Sequence, residues 1–168
     1  MTPIRWIAAV LALLGPSAAV AAPCPAALID QLDGLYRWQL DRQDKPGPIV
    51  IASQRSRFTP GLYSLLHQAY ALTPEQGRFV DFDVFSGTQV GTFGAEVLGC
   101  KEGPAGTVVA RVAVQTGLPG RNPVPPKQLR YLMVPSQEAG WRIADIVYPE
   151  EPTFRLSSYL RQLLSPSP

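Results

Sequence analysis

The sequence predicts an α+β domain in which helices come first along the chain and pack on one face of an antiparallel β-sheet. Apolar residues recur every three or four positions as far as about residue 72, which is typical of amphipathic helices. After Gly77 the spacing changes to two, and short turn sequences separate the alternating segments, as in hairpins. Helices followed by hairpin-linked strands favour the α+β class, and a short helix is predicted near the C-terminus.

Residues 1–21 are predicted to form a cleavable export signal. Arg5 supplies a positive start, and an uninterrupted apolar run follows from Trp6 to Leu14. The segment Ala19 to Ala21 has the small-x-small pattern after which leader peptidases cut. The apolar run is shorter than the roughly 20 residues of a membrane-spanning helix. The mature protein is therefore expected to be periplasmic or secreted, without a transmembrane segment.

The rest of the chain has the length and composition of one globular domain. After removal of the signal 147 residues remain (168 − 21), and 22–164 are predicted to form a single α+β domain before a disordered tail over 165–168. Hydrophobic residues make up 46% and charged residues 17%, which allows a sizeable core. The net charge of +2 comes from interspersed signs, which argues against nucleic acid or an anionic membrane as the partner.

The two cysteines, Cys24 and Cys100, are predicted to form a disulfide, because an exported protein meets an oxidising compartment. Two separate thiols are the alternative. Lipid attachment to Cys24 is disfavoured, since Pro23 and Ala21 do not fit a lipoprotein signal. Two cysteines and one histidine without close spacing do not make a zinc site, so neither a metal nor a cofactor is predicted.

Two helices are predicted in the first half of the domain. The first runs from Pro25 to about Gln43, with polar residues between its apolar positions. The second begins after Thr59, which can cap it with Pro60 at the first position, and ends near Leu72. Its core stripe consists of Leu62, Leu65, Leu66 and Ala69. An adjoining stripe consists of Tyr63, His67 and Tyr70.

Alternation of apolar and polar residues predicts five strands: Phe79 to Phe85, Phe93 to Cys100, Thr107 to Thr116, Leu129 to Val134 and Trp141 to Tyr148. The second and third strands are predicted to form one hairpin, and the last two another. Strict alternation would put Asp145 on the apolar face of the last strand. A bulge near Ala144 is therefore predicted, which aims Ile146 inward and Asp145 away. A short amphipathic helix or turn is predicted over Thr153 to Leu164.

Four segments carry a family resemblance: Leu35 to Trp38, Phe58 to Leu62, Phe82 to Phe85 with Gln89, and Trp141 to Tyr148. On these residues the chain resembles the exported bacterial family called domain of unknown function 3828, which is similar to the nuclear transport factor 2-like cone. The resemblance covers most of the mature chain. It implies a strongly curved sheet around helices, with a hollow that side chains fill or that holds a ligand, and it implies no agreed activity. The proline-rich segment Gly117 to Pro126 departs from the family pattern.

Few residues in the sequence suit catalysis. The single histidine, His67, lies on a predicted helix, and no nucleophile elbow or phosphate-binding glycine motif occurs. Asp81 and Asp83 on the predicted strand would project to one side, roughly 7 Å apart. In a concave pocket the pKa of one carboxyl would be raised, which suits a general base or a ligand acceptor. The alternative is that both face water or pair with arginines such as Arg78 and Arg111.

If the domain binds a small molecule, its site is predicted to use Tyr63, His67 and Tyr70 from the second helix and Asp83 from the facing strand. A helix that buries its first stripe on a curved sheet turns its second stripe toward the concavity. The two tyrosines and the histidine would then form a polar-aromatic wall. The alternative places them at the edge of the core with their polar tips in water.

The predicted function is an exported noncatalytic binding or accessory domain, whose partner is a small molecule or a protein. An immunity protein against a secreted bacterial toxin is one alternative, because similar folds are used in that way. A small isomerase- or dehydratase-like cone enzyme is the other, and it requires an inward acid opposite a tyrosine or histidine. No catalytic residue is assigned, and the oligomeric state is left open.

We expect the mature exported protein to begin at Ala22 and to carry a Cys24–Cys100 disulfide, because the signal ends in a small-x-small site and the compartment oxidises paired thiols. Intact mass before and after reduction measures both features, with a gain of two hydrogens on reduction. Two free thiols in the native protein, or a lipid adduct on Cys24, would contradict the prediction.

Overall fold

The computed structural model describes residues 23–45, 49–72, 82–121 and 124–165. In chain order its elements are α1 (Ala26–Gln43), a 3₁₀ helix (Ile51–Arg57), α2 (Pro60–Tyr70), β1 (Gly91–Glu102), a 3₁₀ turn (Pro104–Gly106), β2 (Val108–Gly117), β3 (Lys127–Ser136), β4 (Gly140–Tyr148), β5 (Phe154–Arg155) and α3 (Leu156–Leu164). The predicted α+β class, with a short C-terminal helix, is confirmed. The predicted signal over 1–21 and the last three residues of the predicted tail lie outside the described residues.

The five strands form one open antiparallel sheet in which each strand lies beside its neighbours in the sequence. Both predicted hairpins are confirmed, since β1 pairs with β2 and β3 pairs with β4. Alternate residues of β2 are buried and define the inner face of the sheet: Val108, Ala110, Val112 and Val114. The helices pack on this side, and α1 buries Leu28, Leu32 and Leu35 there.

The second helix begins where the sequence predicts. The hydroxyl of Thr59 accepts the backbone N–H of Leu62 at 3.4 Å, and Pro60 occupies the first helical position. Of the predicted core stripe, Leu62, Leu66 and Ala69 are buried and Leu65 is half-buried. The helix ends two residues before the predicted Leu72.

Both ends of the edge strand β1 are fastened to α1. The predicted disulfide joins Cys24, just before α1, to Cys100 near the end of β1, with 5.1 Å between the two Cα atoms. At the other end, the Gln43 side chain accepts the backbone N–H of Thr92 at 2.9 Å and donates to its carbonyl at 2.7 Å. The disulfide closes a loop with a sequence separation of 76 residues. Such a closure stabilises the fold by about 4 kcal/mol on the chain-entropy account.

The predicted bulge in β4 is present at Ala144. Met133 pairs with Ile143 and Leu132 pairs with Asp145, so Ala144 is the extra residue. Ile143 and Ile146 consequently both lie in the core. The bulge also gives Asp145 a role that the sequence did not suggest. Its buried carboxylate accepts the backbone N–H of Ser157 at 3.0 Å and the Ser157 hydroxyl at 2.7 Å, which caps the first turn of α3.

The predicted strand Phe79 to Phe85 is wrong in its described part, residues 82–85; residues 79–81, including Asp81, lie outside the described residues. Asp83 instead opens a tight turn. Its N–H donates to the carbonyl of Thr88 at 2.7 Å, and the N–H of Gly87 donates to its carbonyl at 2.7 Å. Gly87 has φ +69°, a left-handed conformation that favours glycine. In a strand on one sheet face, buried and exposed residues would alternate. Here Val84, Phe85 and Ser86 are consecutive and all buried.

This turn, which we call the buried turn (83–88), lies against the inner face of the sheet. Its central residues Val84 and Phe85 are buried, so their carbonyl groups are removed from water and need donors from the protein. The Tyr148 hydroxyl of β4 donates to the carbonyl of Val84 at 2.7 Å. The Tyr36 hydroxyl of α1 donates to the carbonyl of Phe85 at 2.9 Å and contacts the Tyr131 hydroxyl at 2.8 Å. The core therefore contains a tyrosine network whose polar ends satisfy the turn.

We expect Tyr148→Phe to lower the free energy of unfolding by about 1–3 kcal/mol, because it leaves the buried carbonyl of Val84 without a donor. The matched control is Tyr63→Phe, which removes a hydroxyl that has no hydrogen-bond partner among the described residues. That variant should stay within about 0.5 kcal/mol of wild type. Urea denaturation measures both values. Equal costs for the two variants would contradict the assigned role of Tyr148.

We expect the fold to lose stability as the pH rises above about 10. Burial raises the pKa of Tyr36, Tyr131 and Tyr148 above the ordinary value of 10.0. Below that value all three hydroxyls keep their protons in both states, so their contribution is constant. Above it the unfolded chain releases protons that the folded chain retains, and the free energy of unfolding falls.

Urea denaturation at several pH values between 8 and about 11 measures this loss, and absorbance of tyrosinate shows when the hydroxyls ionise. Ionisation of all the tyrosines near pH 10 while the fold persists would contradict the prediction.

Candidate functional site

A cleft of about 800 Å³ lies beside the start of α2, between the 3₁₀ helix and the β3–β4 hairpin. Its lining side chains are Ala52, Ser53, Arg55, Ser56, Phe58, Pro60, Tyr63, Ser64, His67, Glu138 and Arg142. The volume is within the range of small-molecule sites in proteins. We treat this cleft as the candidate functional site.

The segment between the 3₁₀ helix and α2 joins the helical side of the cleft to the sheet. Phe58 forms a parallel bridge with Ile143 of β4, and the N–H of Thr59 donates to the carbonyl of Ile143 at 2.9 Å. The Phe58 ring is buried and stacks on Phe85 of the buried turn, with 6.1 Å between ring centroids. One wall of the cleft is thus formed by α2. Another is formed by Arg142, which directly precedes Ile143 in β4.

The 3₁₀ helix is held against α1 by Arg57. Its guanidinium donates to the Gln31 carbonyl at 3.0 Å and to the Gln54 side chain at 2.8 Å. The glycine at position 34 leaves room for this contact, because a Cβ there would lie 2.4 Å from a guanidinium nitrogen of Arg57 and would displace it. Gly34 lowers the helix propensity of α1, but it makes room for Arg57. Arg57 in turn holds the 3₁₀ helix, which forms a third wall of the cleft.

Two of the four residues predicted to bind a ligand line the cleft together. The rings of Tyr63 and His67 lie 5.7 Å apart between centroids. Tyr70 lines a smaller hollow of about 240 Å³ on the far side of His67. Asp83 lies in a third depression, with Arg42 and Gln43. Among the described cavities none is lined by all four side chains, and a part for Tyr70 and Asp83 in ligand binding stays a prediction.

Asp83 is fully engaged in holding the buried turn. One carboxylate oxygen accepts the backbone N–H of Phe85 at 2.7 Å. The other accepts the guanidinium of Arg42 at 2.9 Å and the side-chain amide of Gln39. The sequence analysis gave pairing of Asp83 with an arginine as an alternative, and Asp83 does pair with Arg42 of α1. Substitution of Asp83 would therefore disturb the fold of the turn before it affected any ligand.

Arginines outnumber acids among the side chains that line the cleft. The Arg55 guanidinium lies over the Tyr63 ring, 5.4 Å from its centroid. It forms no ion pair with the described residues. Arg142 donates to Glu138 at 2.6 Å, but its buried Nε has no partner within the described part of the chain. Glu138 is the single acid that lines the cleft, and 82% of its side chain is exposed.

A second hollow of about 430 Å³ opens beside the buried turn. Its apolar wall comprises the rings of Phe82, Tyr148 and Phe154, which pack edge to face and in stacks. A salt bridge between Lys127 and Glu150 lies at its rim. Its one cation, Lys127, is already paired, and the remaining charged side chain, Glu151, is an acid without an ion pair among the described residues, so the hollow offers an anionic ligand no free cation.

The outer face of the sheet carries two adjacent arginines. The sequence did not indicate this pair, because positive and negative residues are interspersed along the chain. Arg111 of β2 and Arg130 of β3 are direct cross-strand neighbours, and both are exposed. Like charges in such positions destabilise a sheet. Neither arginine forms an ion pair with the residues that the structure describes. The pair gives this face a local positive charge.

Arg55 and Arg142, the two cations of the cleft, were missed from the sequence. They lie far apart along the chain and meet because Phe58 bridges to β4. No local signal singled out Arg55.

Comparison of the chain with protein-family models, curated proteins and solved structures finds no match. Within the described ranges, no helix has the length and apolar character needed to cross a bilayer. No cluster of three histidine, cysteine or acidic side chains suited to a metal ion occurs among those residues either. A functional assignment therefore depends on the geometry and charge of the cleft.

Proposed function

We propose that this protein is an exported noncatalytic binding or accessory domain that takes a small ligand in the cleft. The observation that carries the proposal is the set of polar groups there that lack partners among the described residues: the Arg55 guanidinium, Arg142 Nε and the Tyr63 hydroxyl. Arg55 is exposed and Tyr63 is half-buried, whereas Arg142 Nε is buried, where protein polar groups are normally hydrogen-bonded. A ligand in the cleft would supply the missing partners.

The fold and the disulfide are compatible with the same proposal. We also propose that the chain belongs to the exported family called domain of unknown function 3828 and has a nuclear transport factor 2-like cone. A five-stranded antiparallel sheet covered by helices on one side is compatible with such a cone. The Cys24–Cys100 disulfide is compatible with an oxidising location and with a signal over residues 1–21.

An isomerase- or dehydratase-like activity has less support. Such an enzyme needs an acid that faces a substrate inside the cone. The acid that the sequence offered, Asp83, instead bonds to Arg42, Gln39 and the buried turn. The buried turn also occupies part of the inner face where a substrate would lie.

The immunity alternative draws on a different surface. Arg111 and Arg130 on the outer face have no ion pair within the described residues, and Leu98 beside them on β1 is 40% exposed. A basic surface with apolar neighbours suits an acidic protein partner. Protection of cells against a toxin encoded beside this gene, lost on Arg111→Glu, would favour this alternative over small-molecule binding.

We expect a screen of small fragments by nuclear magnetic resonance to yield compounds that shift the amide signals of the cleft. For such a compound, His67→Ala should weaken binding by about fivefold, because it removes an aromatic contact of roughly 1 kcal/mol. The matched control is Gln68→Ala, which changes the next residue of α2, exposed and outside the cleft lining. It should leave the affinity unchanged.

Asp83→Asn tests another of the four predicted ligand residues in the same assay. We expect it to lower stability and to leave the affinity of the folded protein for cleft ligands unchanged. The proposal would be wrong if fragments bound the protein but none shifted cleft signals, or if no fragment bound at all.

A further inference from the structure

We infer that the cleft selects a small organic anion, with a carboxylate or phosphate group on a flat apolar body, and that Glu138 competes with this anion for Arg142. The inference rests on the proposed function, since it names the chemical class of the ligand for the same cleft. Three features of the cleft support it: its charge, the arrangement around Arg142 and its aromatic lining.

The charge of the cleft is positive on balance. Arg55 and Arg142 supply two cations, and Glu138 supplies the single anion among the lining residues. The hydroxyls of Ser56 and Tyr63 add neutral donors that have no hydrogen-bond partner among the described residues. A ligand that satisfies such a set must be rich in acceptors. An anion satisfies it best, because hydrogen bonds between charged groups are stronger than neutral ones.

Arg142 is arranged to exchange partners. Glu138 holds its Nη2 at 2.6 Å, yet the Glu138 side chain is 82% exposed whereas Arg142 is 21% exposed. An ion pair with one exposed partner contributes little stability, so a competing anion displaces it at low cost. The buried Nε of Arg142 meanwhile has no partner within the described residues. A carboxylate or phosphate that displaces Glu138 can take Nη2 and, once the Arg142 side chain rotates toward the cleft, Nε as well, a bidentate contact that Glu138 does not make here.

The remaining lining favours a flat apolar body beside the anionic group. The rings of Tyr63 and His67 flank the cleft, and Pro60 and the buried Phe58 contribute apolar surface. Arg55 over the Tyr63 ring is placed to meet a second acceptor on the ligand. Benzoate and phenyl phosphate have this combination of features, and benzamide is a neutral molecule of the same shape as benzoate.

The test is calorimetric titration of the purified protein with benzoate, phenyl phosphate and benzamide at low ionic strength. We expect at least one of the two anions to bind at least about tenfold more tightly than benzamide, because it gains a charge-assisted contact. The stronger anion identifies the preferred acid group. Its affinity should fall as salt is added, because ions screen the attraction.

Variants locate the contact. Arg142→Gln should weaken anion binding by about tenfold or more, and Arg55→Gln, at an exposed position, should weaken it without risk to the fold. Glu138→Gln removes the competitor and should tighten anion binding by about twofold to fivefold while leaving benzamide unaffected. Gln68→Ala is again the control for α2.

The outcomes separate this inference from the proposed function. If fragments shift cleft signals but benzamide binds as tightly as both anions, the inference is wrong and the proposed function stands. If Glu138→Gln leaves anion affinity unchanged, the competition is wrong. Anion binding that survives both arginine substitutions lies elsewhere and overturns the inference. If neither the anions nor any fragment affects the cleft, both the inference and the proposed function fail.

Discussion

The fold depends on one constraint: the carbonyls of Val84 and Phe85, at the centre of the buried turn (83–88), lie inside the domain and have no water to bond. Tyrosine hydroxyls from two different elements supply the donors, Tyr36 from α1 and Tyr148 from β4. Each hydroxyl fixes the position of its own helix or strand relative to the turn. An unpaired buried carbonyl is costly, so these bonds select the arrangement of α1 against the sheet as well as filling space.

The same constraint bears on the proposed ligand site. Because the buried turn lies on the inner face and draws in Asp83, the acid that looked most suited to chemistry becomes a structural group. Two cations, Arg55 and Arg142, lie instead outside the core, where the 3₁₀ helix, α2 and β4 meet. Phe58 connects the two regions, since it stacks on Phe85 of the turn and lines the cleft. A change in the packing of the turn would therefore reach the cleft through a single ring.

Much of the fold could be predicted from local patterns. Apolar spacing located α1 and α2, the Thr59-Pro60 pair located the start of α2, and the misplaced Asp145 located the bulge in β4. The buried turn could not be predicted in this way, because its apolar residues imitate a strand and its stability comes from hydroxyls distant in sequence. The candidate site was half predicted. The aromatic stripe of α2 is local information, whereas the meeting of Arg55 with Arg142 is a product of the tertiary fold.

The attachment of β1 to α1 has a consequence for how molecules of this protein meet one another. An edge strand can template the addition of a strand from a neighbouring chain. Here Gln43 occupies both backbone polar groups of Thr92, and bulges at Phe93 and Leu98 interrupt the regular spacing of the strand. At the opposite border, β5 has two residues and covers only Val147 and Tyr148 of β4, while Phe58 and Thr59 bond to β4 at Ile143. Neither border of the described sheet offers a long flat row of free amides, so molecules of this protein have little tendency to assemble through their strands.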